Sequence, residues 1–178
     1  MEKKQNLELK HYCPDFKPVR KVLKGLGAEK VGVKKQKDFF FHLPAYKEKR
    51  KARMKLRVEG GKMRLVYYER PDFIAGKDTS AAVILLETDE GALAFLKQTL
   101  GVSVIVEKRR EIWRKDNTVF HLDEVKGVGK VFEVELQKHG VITERDKRIF
   151  ANYQKNLLPV LGKVIQGSNA NLVAKVKP

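Results

Sequence analysis

Polar and apolar positions alternate in short runs along most of the chain, the period of two that half-buried β-strands show. In residues 6–10, Leu7 and Leu9 oppose Asn6, Glu8 and Lys10. In residues 53–57, Arg53, Lys55 and Arg57 oppose Met54 and Leu56. Val104, Val106, Lys108 and Arg110 share one face of a long run over 102–114, and Glu133 and Glu135 oppose Phe132, Val134 and Leu136 over 131–136. Further runs at 36–43, 63–70, 80–88 and 118–123 bring the expected strands to eight. Glu59-Gly60-Gly61-Lys62, Asp116-Asn117 and Lys126-Gly127-Val128-Gly129 supply the hairpin turns, and 44–51 reads as a charged loop.

Three segments switch to helical spacing. Asp15 caps a helix whose apolar stripe is Val19, Val22, Leu23 and Leu26, ended by Gly27. Asp89 caps a second that ends near Gly101, with Leu93, Leu96 and Leu100 facing inward. A third starts near Thr143, and a Gly167-Ser168-Asn169-Ala170-Asn171 tail closes the chain. No repeat or linker interrupts the pattern, so residues 1–178 are expected to form one domain, with a C-terminal helix and tail from about 142. The predicted fold class is α+β: an eight-stranded antiparallel β-barrel with helices packed outside.

Charged pairs spaced by two residues lie side by side on one face of a strand. Any one such strand usually just presents a solvated face. The set is more informative: the basic pairs Lys55/Arg57 and Lys108/Arg110 fall on middle strands, while Glu8 and Glu133/Glu135 fall on the first and last. A closed barrel makes the first and last strands neighbours, so Glu8, Glu133 and Glu135 can meet, with Asp123 on the adjoining strand. Clustered carboxylates are stable when a cation sits among them, and hard oxygen ligands suit Mg²⁺ or Mn²⁺. Lys10, Lys55, Arg57, Arg70, Lys108 and Arg110 are then expected across the lumen, as a basic wall whose members repel one another in the empty protein. A metal corner and a basic wall together suit a metal–triphosphate.

Composition narrows the partner. The net charge of +16 points to an anion. The hydrophobic content of 42% is ordinary, and no apolar run approaches the ~20 residues of a membrane helix. The N-terminus lacks the apolar stretch of a signal peptide, so no membrane association and a cytoplasmic location are expected. Cys13 stands alone, which excludes an internal disulfide and a cysteine-built zinc site. Neither Gly76-Lys77 nor Gly129-Lys130 has the glycine five positions earlier that a phosphate loop needs. His121 shares a face with Asp123, but a lone strand histidine is more often packed or solvated than a ligand. Trp113, Tyr67 and Tyr68 are expected to pack against helices rather than stack on a purine.

The residues also carry a resemblance. Asn6-Leu7-Glu8-Leu9-Lys10 resembles the Glu-x-Glu-x-Lys signature of the CYTH superfamily, the triphosphate tunnel metalloenzymes. Gln36-Lys37-Asp38, Met54-Lys55-Leu56-Arg57, Tyr67-Tyr68-Glu69-Arg70-Pro71-Asp72 and Val106-Glu107-Lys108-Arg109-Arg110 resemble further stretches of it. So does His121-Leu122-Asp123-Glu124-Val125-Lys126-Gly127-Val128-Gly129, running into Phe132-Glu133-Val134-Glu135. The tail is similar to one common in the class IV adenylyl cyclase branch. The resemblance implies an eight-stranded tunnel, dependence on Mg²⁺ or Mn²⁺, and a triphosphate substrate. It implies catalytic roles for Glu8 and Lys10, and metal ligands at Glu8 and Glu133 with Asp123 and Glu135 beside them. It implies phosphate contacts from Lys10, Arg57, Arg70, Lys108 and Arg110, to which strand parity adds Lys55. Asn6 stands in place of the signature's first Glu, and Asn169 and Asn171 in place of the tail's Tyr and Asp.

Three functions follow in order. The first is conversion of ATP to cyclic AMP and pyrophosphate. The second is a triphosphatase acting on inorganic triphosphate or thiamine triphosphate. The third is a non-enzymatic binder of nucleic acid or another polyanion. Glutamates on the same faces as the basic residues would repel a nucleic-acid backbone, and no nucleic-acid-binding motif is present. A homodimer is compatible with the sequence.

Overall fold

The computed structural model describes residues 3–48, 51–69 and 78–176. The strands are β1 (Lys3–Tyr12), β2 (Glu29–Phe41), β3 (Ala52–Glu59), β4 (Lys62–Glu69), β5 (Asp78–Thr88), β6 (Val102–Lys115), β7 (Thr118–Val125) and β8 (Gly129–His139). The helices are α1 (Phe16–Gly25), α2 (Ala45–Glu48), α3 (Glu90–Leu100), α4 (Glu144–Leu157) and α5 (Asn169–Val176), with a 3-10 turn at Leu158–Val160. The strands close a barrel in the order β1-β5-β4-β3-β2-β6-β7-β8, and β8 pairs back onto β1. Every neighbouring pair is antiparallel.

Closure leaves each strand one inward and one outward face. The outward apolar residues of β1, β7 and β8 (Leu7, Leu9, Phe120, Leu122, Phe132, Val134 and Leu136) are buried beneath α1 and α4. The α1 stripe fits as expected: Val19 and Leu23 are buried and Val22 and Leu26 pack at the margin. Asp15 caps α1 and Thr143 forms a capping box with Asp146 on α4, which fixes where both helices start. Trp113 joins this core, and its indole donates to Glu111. Leu93, Leu96 and Leu100 of α3 face Phe39, Phe41 and Leu56, half-buried. Gly60 and Gly61 both take φ > 0 in the β3–β4 turn, the conformation of a tight hairpin whose twist matches its strands.

Three elements differ from expectation, the first being α2, a single helical turn over Ala45–Glu48 within the stretch read as a charged loop. β2 begins at Glu29, seven residues before the alternation at 36. Its first half is exposed and bears few apolar side chains, and its backbone ladder to β6 holds it in the sheet. The tail carries α5, whose Leu172 and Val173 pack with Phe40, Val104, Val106 and Val131. These four share strand faces with the lumen residues Asp38, Lys108 and Glu133, so α5 sits against an apolar end of the lumen. Among the described residues, no helix is long and apolar enough to cross a membrane.

Candidate functional site

The lumen holds a cavity of about 370 Å³. Asn6, Lys10, Asp38, Lys55, Arg57, Lys108, Arg110, His121, Glu133 and Glu135 line it. Cross-strand register explains how residues far apart in sequence meet there. Glu8 lies opposite Glu135 and Lys10 opposite Glu133. His121 lies opposite Glu133, Arg110 opposite Asp123, and Asp38 opposite Arg57. The expectation that closure brings Glu8, Glu133 and Glu135 together therefore agrees with the register. Arg70 lies outside the described residues.

The arrangement of charge differs from a metal corner facing a basic wall. Acids and bases interleave. Asp38, buried on β2, accepts from Lys55 Nζ at 2.8 Å and from Arg57 Nε and an η-nitrogen at 2.7 and 2.8 Å. Asp123, fully buried on β7, is gripped in the same way by the next pair. Arg110 donates twice at 2.7 Å, and Lys108 Nζ donates at 3.2 Å. Arg110 also reaches Glu133 at 3.1 Å, and Lys10 Nζ lies 3.2 Å from the other Glu133 oxygen. Lys10 is 3.9 Å from Glu8. Each buried cation thus has a carboxylate partner, which offsets part of the expected repulsion, while Lys55 and Lys108 still feel the neighbouring guanidinium groups. An uncompensated charge inside a barrel costs far more than a paired one, so a folded lumen rich in Lys and Arg carries acids among them.

The titration of these groups follows. Burial alone would raise Asp38, but the Arg57 and Lys55 contacts outweigh it and hold the carboxyl far below its usual range. Asp123 behaves likewise under Arg110 and Lys108. Glu133 is pulled well below normal against its burial by Lys10, by the neighbouring His121 and by Arg110. Lys108 moves the other way. Burial, with Arg110 beside it, pushes its ammonium down to about 7 despite Asp123. Burial brings Lys55 to about 8, Asp38 opposing and Arg57 assisting. Arg110 stays charged, its pKa raised by Asp123 and Glu133 against burial.

One atom from each of His121, Glu133 and Glu135 falls within 4.8 Å of the others, close enough to share a metal ion. Asp123 and Glu8, also expected as ligands, are not part of this group. Asp123 already accepts four hydrogen bonds: two from Arg110, one from Lys108, and one from the Asn169 amide at 3.3 Å. The tail reaches the site through this last bond. Asn171 holds the turn by accepting from the Ser168 backbone N–H and hydroxyl at 2.9 and 2.6 Å and from Arg53 at 3.2 Å.

The motif order, the closed eight-stranded barrel and the charged lumen agree with one finding: the CYTH domain family matches residues 4–156. This chain belongs to the CYTH domain family. No curated protein matches it in sequence. Solved structures share the CYTH fold. A Pyrococcus horikoshii protein is 25% identical over 97% of this chain and 99% of its own, with a TM-score of 0.72. A candidate adenylate cyclase from Vibrio parahaemolyticus is 16% identical over 95% and 97%, with a TM-score of 0.66. A candidate adenylyl cyclase from Hippeastrum, described as having a dominant triphosphatase activity, is 16% identical over 87% of each chain, with a TM-score of 0.59.

Sequence reasoning passed over Asp38 as a site residue and set His121 aside. Asp38 carried two signals, its place in the Gln36-Lys37-Asp38 stretch that resembles the CYTH superfamily and its position in a strand run with Phe40 two residues on. His121 carried its shared face with Asp123. On the other side of the lumen, Val66, Tyr68, Val83 and Leu85 of β4 and β5 form a largely apolar wall. Tyr68 therefore faces the cavity instead of a helix, while Trp113 is in the core as expected.

Proposed function

We propose that the protein is a metal-dependent enzyme acting on a triphosphate in the barrel lumen, with ATP converted to cyclic AMP and pyrophosphate. The observation that carries this is Glu133, whose two oxygens are held by Lys10 and Arg110 beside Glu135 and His121. A carboxylate site for a cation and two groups suited to phosphate here share one residue. When bound, Mg²⁺ or Mn²⁺ supplies positive charge at the reacting phosphate and acidifies the attacking hydroxyl.

Glu133 and Glu135 would hold the cation, and Lys10 and Arg110, which contact Glu133, would be free to meet phosphate oxygens. Arg110 remains aimed by Asp123, and Arg57 by Asp38, so both guanidinium planes are oriented before substrate arrives. Lys55 and Lys108 add point charges to the same run of phosphates. Arg70 is the remaining phosphate candidate. Glu8 and Lys10 are the catalytic candidates. Lys10 neutralises charge at the reacting phosphate, and Glu8, buried 3.9 Å from the Lys10 ammonium, helps hold it in place. In the cyclase reaction the 3′-oxygen bonds to the α-phosphorus and the bond to the bridging oxygen breaks. Pyrophosphate leaves with the electron pair, and the hydroxyl proton passes to solvent. The apolar wall with Tyr68 supports a substrate with an organic ring.

The test is incubation with ATP and, separately, inorganic triphosphate, with Mg²⁺ or Mn²⁺, followed by assay of cyclic AMP, pyrophosphate and phosphate. Cyclic AMP with pyrophosphate is expected. Phosphate without cyclic AMP selects a triphosphatase, and no turnover of either compound refutes the enzymatic reading. Glu133→Gln is expected to abolish turnover with the fold intact by circular dichroism.

A further inference from the structure

The lumen contains a nitrogen that the mechanism above does not use. His121 projects from β7 opposite Glu133, its side chain 9% exposed. Its Nδ1 is buried without a hydrogen-bond partner, and Glu133 Oε2 lies 3.9 Å away, beyond hydrogen-bonding reach. A buried imidazole nitrogen is normally paired. One ring nitrogen of His121, one Glu133 oxygen and one Glu135 oxygen lie within 4.8 Å of one another. The gap is too wide for a hydrogen bond and has the dimensions of an ion's coordination sphere.

We propose that His121 is a ligand of the lumen metal site, together with Glu133 and Glu135, and that its nitrogen makes the site select a later first-row transition ion such as Co²⁺ over Mg²⁺. The proposal rests on the carboxylate site of the preceding subsection. Mg²⁺ takes oxygen ligands and keeps much of its water. Imidazole adds affinity for later first-row ions, which bind nitrogen increasingly well along the series. Lys10 and Arg110 crowd the same carboxylates with positive charge. A neutral nitrogen completes the sphere without adding a further anion to be balanced. His121 is also held in place, since its strand is paired on both sides, to β6 and to β8.

The test uses the full chain, stripped of metal by chelation. CoCl₂ and MgCl₂ are titrated separately by calorimetry, with the cobalt d–d absorption recorded, and the Mn²⁺-loaded protein is examined by pulsed electron paramagnetic resonance. Wild-type protein is expected to bind Co²⁺ at least about tenfold more tightly than Mg²⁺. It is also expected to show ¹⁴N coupling to Mn²⁺. His121→Gln is expected to lose that coupling and about tenfold of the Co²⁺ affinity, with Mg²⁺ affinity nearly unchanged. Absence of ¹⁴N coupling in the wild-type protein overturns the proposal without reference to any variant. An equal loss of Co²⁺ and Mg²⁺ affinity in His121→Gln also overturns it, because it marks a packing effect. Glu133→Gln separates the two readings. If it binds Co²⁺ as the wild type does, the carboxylate site fails and this inference with it. If it loses binding while His121→Gln keeps wild-type selectivity, the imidazole inference alone fails.

Discussion

Triphosphate binding should draw protons into the lumen, and the amount can be worked from two lysines. Lys108 sits near pKa 7 because it is buried beside Arg110, with Lys55 and Arg57 also near and Asp123 only partly compensating. Lys55 sits near 8 for the same reason of burial, with Asp38 and Arg57 pulling in opposite directions. At pH 8 about one-tenth of Lys108 and half of Lys55 carry a proton. A polyanion that restores both to about 10.4 therefore takes up about 1.4 protons per site. At pH 6 both are already charged, and uptake falls to about 0.1. Affinity should weaken about 25-fold between pH 7.5 and 8.5. The assay is calorimetry of ATP binding in excess chelator, which prevents turnover, in buffers of different ionisation enthalpy. The slope of observed enthalpy against buffer enthalpy counts the protons. Lys108→Met should cut uptake at pH 8 to about 0.5, the share left to Lys55. The same shift has a consequence for stability, with the opposite sense of pH. The unfolded chain holds the Lys108 proton up to about 10.4 while the empty folded protein releases it near 7, so this residue's contribution to stability rises with pH between those values. Uptake near zero in the wild-type protein at pH 8 would refute the claim that burial keeps these lysines partly neutral.

Two further predictions concern the paired charges. Arg57→Ala leaves buried Asp38 with Lys55 alone, so it should cost roughly 1–3 kcal/mol in denaturant unfolding. Adding Asp38→Ala should recover part of that loss, and full stability of the single variant would mean the pair is not formed. Glu111 is buried outside the lumen, where it accepts from Arg20 at 2.9 and 3.0 Å and from Trp113 at 2.7 Å. These contacts, with Lys30 nearby, hold it down at about 2 against its burial. Its contribution is fully present above the ordinary carboxylate pKa and is lost as pH falls toward 2. Glu111→Gln should therefore be less stable than wild type by roughly 1–3 kcal/mol at pH 7, with the difference vanishing near pH 2 in acid unfolding.

The period-two alternation in the chain decides which side chains share a face, because successive β-residues point to opposite sides of a sheet. That sufficed for the strand count, the barrel class, the α1 stripe, and the placing of Lys10, Lys55, Arg57, Lys108, Arg110, Glu133 and Glu135 on inward faces. Strong turn chemistry at Gly60-Gly61 added the hairpin there. Alternation does not say which residue lies opposite which. Register and closure order are properties of neighbouring strands, and only the tertiary structure sets Arg57 against Asp38, Arg110 against Asp123, and His121 against Glu133. It therefore decided that acids and bases interleave, because each buried cation needs an anion within hydrogen-bonding distance wherever the barrel happens to bring it. The first half of β2 escaped notice for a related reason. Its partners are backbone groups on β6, and hydrogen bonds of that kind leave no hydrophobic signal in the sequence. The reach of Asn169 to Asp123, forty-six residues away along the chain, exists only because α5 folds back against the lumen.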